Sequence, residues 1–351
     1  MLTVGILGAT GAVGQRFVAL LANHPWFRIG AVMASERSVG KVYGDAVQWH
    51  LPAVPGAAVR EMCVTPCTPD GREGLDFVFS GLPAEEAVEI EPLFAARGIP
   101  VVSNTRSHRM DPRVPLVIPE VNAGHLAIIP DPSRTGDRQG FIVTNPNCAT
   151  SALALALDPI HRRLGVRKVM VVTAQAVSGA GFPGLSVMSI LDNAIPYISG
   201  EEPKLETEPC KIFGCIHHDQ IMVSDMVISA ACTRVAVRDG HLMHVSVELN
   251  QLASRDEIIA CWDDYISDIH GLGLPSQPER SVEYLDVPDR PQPLLDRDRG
   301  QGMTVTVGRL RECAVLQWKF AVLGHNTIRG AAGGAILLAE LLTVRGWFPR
   351  S

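Results

Sequence analysis

Asn147-Cys148-Ala149-Thr150 stands where a β-rich run, residues 141–144, gives way to a helical one, residues 148–164. A thiol in the first turn of a helix has its thiolate stabilised by the backbone dipoles and nearby N–H groups. The same donors can form an oxyanion hole over an attacked carbonyl. Cys148 is therefore a candidate nucleophile, although a buried inert cysteine fits this context equally well. A second segment points the same way. Arg234-Val235-Ala236-Val237-Arg238-Asp239-Gly240-His241 reads as a strand ending in a turn, with His241 at its tip. A lone turn histidine is usually a surface residue, but beside a thiol nucleophile it becomes a candidate general acid/base. His244 lies inside the next strand and reads as a packing residue.

Gly8-Ala9-Thr10-Gly11-Ala12-Val13-Gly14 sits directly between a predicted strand and a predicted helix. Backbone N–H groups at such a helix start can hold a pyrophosphate. Gly8 permits the tight turn, Gly11 the close approach of a ligand and Gly14 the helix–strand contact. The spacing is G-x-x-G-x-x-G, which a plain structural turn can also carry. Downstream, at the end of the second predicted strand, stands Ala34-Ser35-Glu36-Arg37-Ser38-Val39-Gly40-Lys41. Glu36 would suit the ribose hydroxyl of NAD, whereas Ser35, Arg37, Ser38 and Lys41 are donors suited to a 2′-phosphate. Four donors against one acid favour NADP.

These groups need a scaffold to position them. Residues 2–7, 28–33, 76–80, 100–103 and 141–144 read as buried strands alternating with helices at 13–22 and 84–97, the signature of a parallel sheet. Residues 166–174, 226–237, 242–249, 304–310 and 316–323 are longer, β-branched and partly alternating, which predicts a mostly antiparallel, mixed sheet with one covered face. A helix over 255–270, opened by a Ser254–Glu257 capping box, would cover it, and 286–302 reads as a long loop. The last helix, from about 326 to 344, opens with Gly330-Ala331-Ala332-Gly333-Gly334, small enough for close packing. The expected class is α/β: a Rossmann-type dinucleotide-binding domain over 1–147, completed by a C-terminal helix within 326–351, and a catalytic and dimerisation domain over 148–325. The broad face of the second sheet is the natural contact between subunits.

With 351 residues the chain exceeds what one hydrophobic core usually serves, in keeping with two domains. At 46% hydrophobic and 19% charged residues it is not a disordered chain. No apolar run approaches the ~20 residues of a membrane span, and the first residues read as a strand, not a signal peptide. A net charge of -6 argues against a nucleic-acid binder. Eight scattered cysteines (Cys63, Cys67, Cys148, Cys210, Cys215, Cys232, Cys261, Cys313) fit reduced thiols in a cytoplasm. Cys210, Cys215, His217 and His218 are too tightly spaced for a good tetrahedral zinc site, so no metal is expected.

Taken together, GATGAVGQRF, SERSVGK, SNTRSHRM with VPLVIPEVN, TNPNCAT, QAVSGAGFPG, ILDNAIPYISGEE, RVAVRDGH and HNTIRGAAGG run through nearly the whole chain. The combination resembles the aspartate-β-semialdehyde dehydrogenases, in particular their archaeal and fungal branch. The resemblance implies a reversible, NADPH-dependent reductive dephosphorylation of L-4-aspartyl phosphate through a cysteine thioacyl intermediate, a step of lysine, threonine, methionine and isoleucine biosynthesis. It implies Cys148 as nucleophile, His241 as general acid/base and Gln175 as a positioning residue. Asn104, Arg109 and Asn147 match phosphate-binding positions, with Lys211 beside them. Glu208 and Lys211 match a pair set on one helix face, Glu208 for the substrate ammonium, while Arg234 would take the α-carboxylate. Ser80 and Pro83, Ser178, Gly179 and Asn326 match cofactor-side positions. A homodimer or homotetramer is implied as well.

The chain departs from the family at Ala149, where Ser or Thr is usual, and at Ala236, where proline is common. Pro209, between Glu208 and Lys211, should mark the first turn of its helix. Two kinds of rival remain. Malonyl-CoA reductase, or more distantly N-acetyl-glutamyl-phosphate reductase, would use related acyl chemistry. A non-catalytic NADP-binding regulator would keep the fold alone, against which the intact Cys148, Gln175, Arg234 and His241 speak.

Overall fold

Five apolar runs in the first part of the chain pair side by side in the computed structural model, which describes residues 1–130 and 139–348. β1 (Leu2–Leu7), β2 (Phe27–Met33), β3 (Phe77–Ser80), β4 (Val101–Ser103) and β5 (Ile142–Thr144) form a parallel sheet in the order β2-β1-β3-β4-β5. Both faces of such a sheet are covered, and every residue of β3 and β4 is accordingly buried. Helices α1 (Ala12–Leu21) and α2 (Ala84–Ala96) supply crossovers. The 126–140 segment, whose bearing on access the sequence leaves open, includes 131–138, which lie outside the described residues.

Helix α3 (Cys148–Leu164) links this sheet to the next. It is buried from Ala149 to Ile160, so its Ala/Leu run packs all round. After it come β6 (Val166–Gln175), β7 (Ala194–Ile195), α4 (Glu201–Ile212), the hairpin β8 (Cys215–His217) and β9 (Gln220–Met222), β10 (Val227–Val235), β11 (His241–Leu249), α5 (Arg255–Asp263), β12 (Val282–Leu285), β13 (Val305–Glu312), β14 (Trp318–Gly324) and α6 (Gly333–Val344). The second sheet has the order β12-β13-β14-β11-β6-β10-β7. β6 with β10 and β12 with β13 are parallel, and the remaining neighbours are antiparallel. Alternation along β6 turns Val169 and Val171 inward and leaves Met170 and Val172 about half exposed on the outer face. Helix α6 returns to the first sheet, where Ile336, Leu337 and Leu341 share a core with Val4, Ile6, Phe77 and Phe79.

Four local expectations change. The helix expected over 255–270 keeps its Ser254–Glu257 capping box but ends at Asp263. The 286–302 loop contains two single helical turns, Pro293–Asp296 and Arg299–Gly302. The last helix starts at Gly333, not at 326, because Ala331 (φ −147°, ψ −108°) breaks the preceding turn. That break lets Gly330 lie flat against Cys148, where a Cβ would come within 2.7 Å of the Cys148 Cα. Finally, Pro209 lies in the last turn of α4. The helix starts at Glu201, after Gly200 at φ 65°, so it is Pro203 that occupies the first turn.

One ion pair ties the N-terminal half to the chain's end. Arg329 grips both carboxylate oxygens of Glu120 and gives its Nε–H to the Met303 carbonyl. Both side chains are fully buried, at 1% and 0% exposure. Glu120→Gln would leave the guanidinium without its counter-charge, a loss of about 3–5 kcal/mol. A lowered urea midpoint is expected, with much of it recovered in the Glu120→Gln/Arg329→Met double variant; an unmoved midpoint in the single variant would show that the pair is dispensable.

Candidate active site

Asn147 is the N-cap of α3, and every polar group it has is used. Its Oδ1 accepts from the N–H groups of Ala149 (2.9 Å) and Thr150 (3.2 Å). Its Nδ2 donates to Glu201 Oε1 (2.9 Å), and its backbone N–H donates to Glu208 Oε2 (2.7 Å). Two carboxylates of α4 thus clamp the turn that carries Cys148. The first-turn N–H groups expected to serve as an oxyanion hole are in this way partly spent: those of residues 149 and 150 belong to Asn147.

Cys148 Sγ lies 3.2 Å from His241 Nε2. His241 is the first residue of β11, paired with Gly324, and is fully buried instead of sitting at an open turn. The N–H of Ala176 donates to His241 Nδ1 (3.1 Å), which assigns the proton of the neutral ring to Nε2, facing the sulfur. Burial holds the imidazole far below its ordinary value, at about 3. Burial likewise, helped by Glu201, pushes the thiol up to about 12. The helix dipole that the sequence suggested would favour a thiolate does not prevail, because the surface Cys148 keeps faces a protein cavity, not bulk water. In the ligand-free site both groups are neutral. His244, expected to pack, is exposed on the outer face of β11.

Cys148 stands on a wall shared by two cavities. One, of about 440 Å³, is lined by Ala12 and Val13 of the glycine loop, by Asn104, Arg106 and Arg109, and by Ser178 and Asn326. The other, of about 400 Å³, is lined by Gln175, Arg234, Glu201 and Tyr197. Asn147, Cys148, Gly179 and Lys204 belong to both. Arg234 is anchored by Nη1 on the Ala176 carbonyl (2.6 Å), and Gln175 donates to Glu201 Oε1 (3.2 Å). Gly179 leaves room for both catalytic-side groups: a Cβ there would meet Arg234 Nη1 at 2.8 Å and His241 Nε2 at 3.3 Å. Asn326 joins the two sides, accepting from the Gly240 N–H and donating to Ser178 Oγ.

The glycine loop fits a dinucleotide. Gly8 has φ 76°, and a Cβ on Gly14 would strike the Gly8 carbonyl at 2.2 Å. The start of α1 has no side-chain cap, so its first-turn donors are open to an anion. Thr10 and Gly11 are half-buried. Ser35 and Arg37 are exposed and Ser38 half-buried in the turn after β2, and no described residue takes a side-chain bond from Arg37 or Lys41. Ser80 is buried and Pro83 exposed, and their neighbours Leu82 and Ala84 line the cavity instead.

Glu208 and Lys211 are placed differently from the expected substrate pair. Both lie on the inner face of α4 at 2% and 1% exposure and line neither cavity. Glu208 Oε1 accepts from Arg109 Nη1 (2.9 Å), so both its oxygens are taken. Lys211 Nζ donates to the carbonyls of Arg109, Asp111 and Val114, all within 2.7 Å, which exhausts its three donors. Burial lowers its pKa to about 8. These two residues hold the 104–114 loop. The reading from sequence missed Glu201, Lys204 and Arg106, although Glu201-Glu202-Pro203 after a glycine is a recognisable helix start. Among the described residues no group of three or more His, Cys, Asp or Glu can hold a metal. Cys210 spends its thiol on the carbonyls of Glu206 and Met226.

The thiol–imidazole pair thus stands beside a glycine loop and a cavity lined by Arg106, Arg109 and Lys204. Residues 3–129 match the model of the semialdehyde dehydrogenase NAD binding domain, and residues 157–329 that of the semialdehyde dehydrogenase dimerisation domain. An aspartate-semialdehyde dehydrogenase of Archaeoglobus fulgidus is 47% identical over 340 residues, 97% of each chain. That of Aspergillus fumigatus is 44% identical over 353 residues, 98% of this chain and 97% of the other. The crystal structure of the Candida albicans enzyme with NADP superposes with a TM-score of 0.93 at 41% identity, covering 99% of both chains. With both family models matched and relatives similar over nearly the whole chain, the chain belongs to the aspartate-semialdehyde dehydrogenase family.

Proposed function

We propose that this chain reduces L-4-aspartyl phosphate to L-aspartate 4-semialdehyde, and runs the reverse reaction, using NADPH and a thioacyl group on Cys148. The observation that carries this reading is the Cys148–His241 contact of 3.2 Å on the wall between a cavity lined by Arg106, Arg109 and Lys204 and one holding Arg234. The glycine loop at Gly8, Gly11 and Gly14 and the donors Ser35, Arg37, Ser38 and Lys41 would hold the dinucleotide and its 2′-phosphate. When bound, NADPH supplies the hydride that reduces the thioacyl carbon.

In the reductive direction the Cys148 sulfur bonds to the acyl carbon and the carbon–oxygen bond to phosphate breaks, the electron pair and the thiol proton leaving together with phosphate. Arg109, Arg106 and Asn104 line that side, and a buried Arg109 Nε–H and Asn104 Nδ2 without partners among the described residues are available to phosphate oxygens. Asn147 acts by holding the turn, Glu208 by holding Asn147 and Arg109. His241 donates Nε2–H to the oxygen that becomes negative at each tetrahedral stage, and then to the departing thiolate. This narrows the general acid/base role: with Nδ1 accepting from Ala176, the neutral ring stabilises charge as a donor and need not transfer its proton. Arg234 takes the substrate α-carboxylate in the second cavity, and Gln175 orients the reacting group.

The half-exposed outer face of β6 and β10, with Met170, Val172 and Val227, supports a homodimer through this sheet. Eight free cysteines support a reducing cytoplasm, and no helix of the described residues is long and apolar enough to cross a membrane. The division into 1–147 with the C-terminal helix, and 148–325, follows the two sheets.

In phosphate buffer with NADP, turnover of L-aspartate semialdehyde is expected and turnover of malonate semialdehyde with coenzyme A is not; the opposite result would move the protein to thioester chemistry. Cys148→Ala should lower turnover by about 10⁴-fold or more while NADPH binding, followed by fluorescence, is retained. Measurable turnover in that variant would assign the nucleophile to another thiol.

A further inference from the structure

Glu91 is a buried carboxyl that the chemistry above leaves unused. It lies on the inner face of α2 with Ala87 and Phe94, is fully buried, and lines neither cavity beside Cys148. Burying a carboxyl costs free energy that an apolar side chain at the same place would not. No arginine or lysine among the described residues pairs with it, and the His108 ring stands 3.7 Å from Oε2. Burial therefore raises its pKa above the ordinary carboxyl range, although Ser80, Ser103, His108 and Thr105 all work to lower it. What the carboxyl does gather is hydroxyls. Its Oε1 accepts from Ser103 Oγ (2.7 Å) and from Thr105 Oγ1 (3.3 Å). Ser103 Oγ in turn accepts from the Thr105 N–H (3.1 Å). The Ser80 hydroxyl, on the residue paired with Ser103 at the ends of β3 and β4, faces the carboxyl as well.

Asn104 stands between the two hydroxyl residues that share Glu91. The period of two continues one step past β4, so residues 103 and 105 meet the carboxyl and Asn104 meets the cavity. Its Oδ1 accepts from Asn145 Nδ2 (2.9 Å), and its carbonyl accepts from Arg109 Nη2 (2.7 Å). We infer that Glu91 is a positioning residue for phosphate: by fixing the hydroxyls of Ser103 and Thr105 it sets the Asn104 amide and, through the Asn104 carbonyl, the Arg109 guanidinium. This rests on the proposed aspartyl phosphate chemistry and deepens it. Arg109 is then held twice, by Glu208 on Nη1 and by the Asn104 carbonyl on Nη2, which leaves its Nε–H for the anion. The contribution of Glu91 is a fixed acceptor oxygen behind the loop, and glutamine has an oxygen to put in the same place.

The test measures KM for phosphate and for L-aspartate semialdehyde, with kcat, in wild type, Glu91→Gln, Glu91→Leu and Ser103→Ala. Wild type must first turn over the aldehyde with phosphate and NADP; failure there overturns the underlying chemistry, and the inference with it. Glu91→Leu is expected to raise the KM for phosphate about 10- to 100-fold, the effect of a displaced binding group, with the KM for the aldehyde within about 2-fold of wild type. Glu91→Gln, which keeps an acceptor for both hydroxyls, should hold the phosphate KM within about 3-fold. Ser103→Ala is the milder change should Glu91→Leu not fold, and it should raise the phosphate KM alone, by about 3- to 10-fold. An unchanged phosphate KM in Glu91→Leu or Ser103→Ala, with wild type active, would overturn the inference alone. So would a parallel rise of both KM values, which marks general loosening of the fold, or a Glu91→Gln variant as impaired as Glu91→Leu.

Discussion

The first turn of α3 has to stand at the junction of two sheets, and Asn147 is what keeps it there. Its side-chain oxygen caps the helix, its amide reaches Glu201, and its backbone N–H reaches Glu208. α4 therefore reads the position of the nucleophile directly, through two carboxylates on one helix. The same helix holds the 104–114 loop through Glu208 to Arg109 and through Lys211 to three carbonyls. From the other direction Gly330 packs against Cys148, and the chain then turns into α6. The buried Glu120–Arg329 pair secures that return. Thiol, 104–114 loop and C-terminal helix are parts of one rigid arrangement, and rigidity of this kind places a reacting group without reorganisation when a ligand arrives.

Electrostatics completes the picture. The helix start favours a thiolate, but burial of Cys148 and the nearby Glu201 carboxylate oppose it, and burial keeps His241 neutral with its proton on Nε2. At rest the thiol and the imidazole form no ion pair with each other. A positive charge brought near the sulfur by a ligand would lower the cost of a thiolate there. Keeping the thiol protonated until then also protects it from adventitious oxidation, which acts on thiolates.

Much of this was legible in the residues. The parallel sheet announced itself through short apolar runs between helical stretches, and the second sheet through period-two alternation such as that of β6. The glycine loop and the strand-to-helix turn at Cys148 were legible for the same reason: local backbone chemistry sets both. What failed depended on contacts distant in sequence. Glu208 and Lys211 share a helix face, as their spacing says, but spacing cannot tell that the face points into protein. Pro209 misled because a proline inside the last turn forfeits a single helical bond and is tolerated there, whereas Pro203 marked the true start. Glu201 and Lys204 stood in plain view in the ISGEEPK stretch, and only folding brings them to Cys148.

The most direct test of the neutral resting pair is the rate of Cys148 alkylation by iodoacetamide against pH, without ligands and with NADP. A slow rate that climbs steadily through the alkaline range, and is accelerated by NADP, is the expected result, since a thiol pushed up to about 12 has little thiolate near neutrality and gains it when positive charge arrives. A fast rate, level from mildly acidic to neutral pH in the ligand-free protein, would reveal a standing thiolate–imidazolium pair and contradict it.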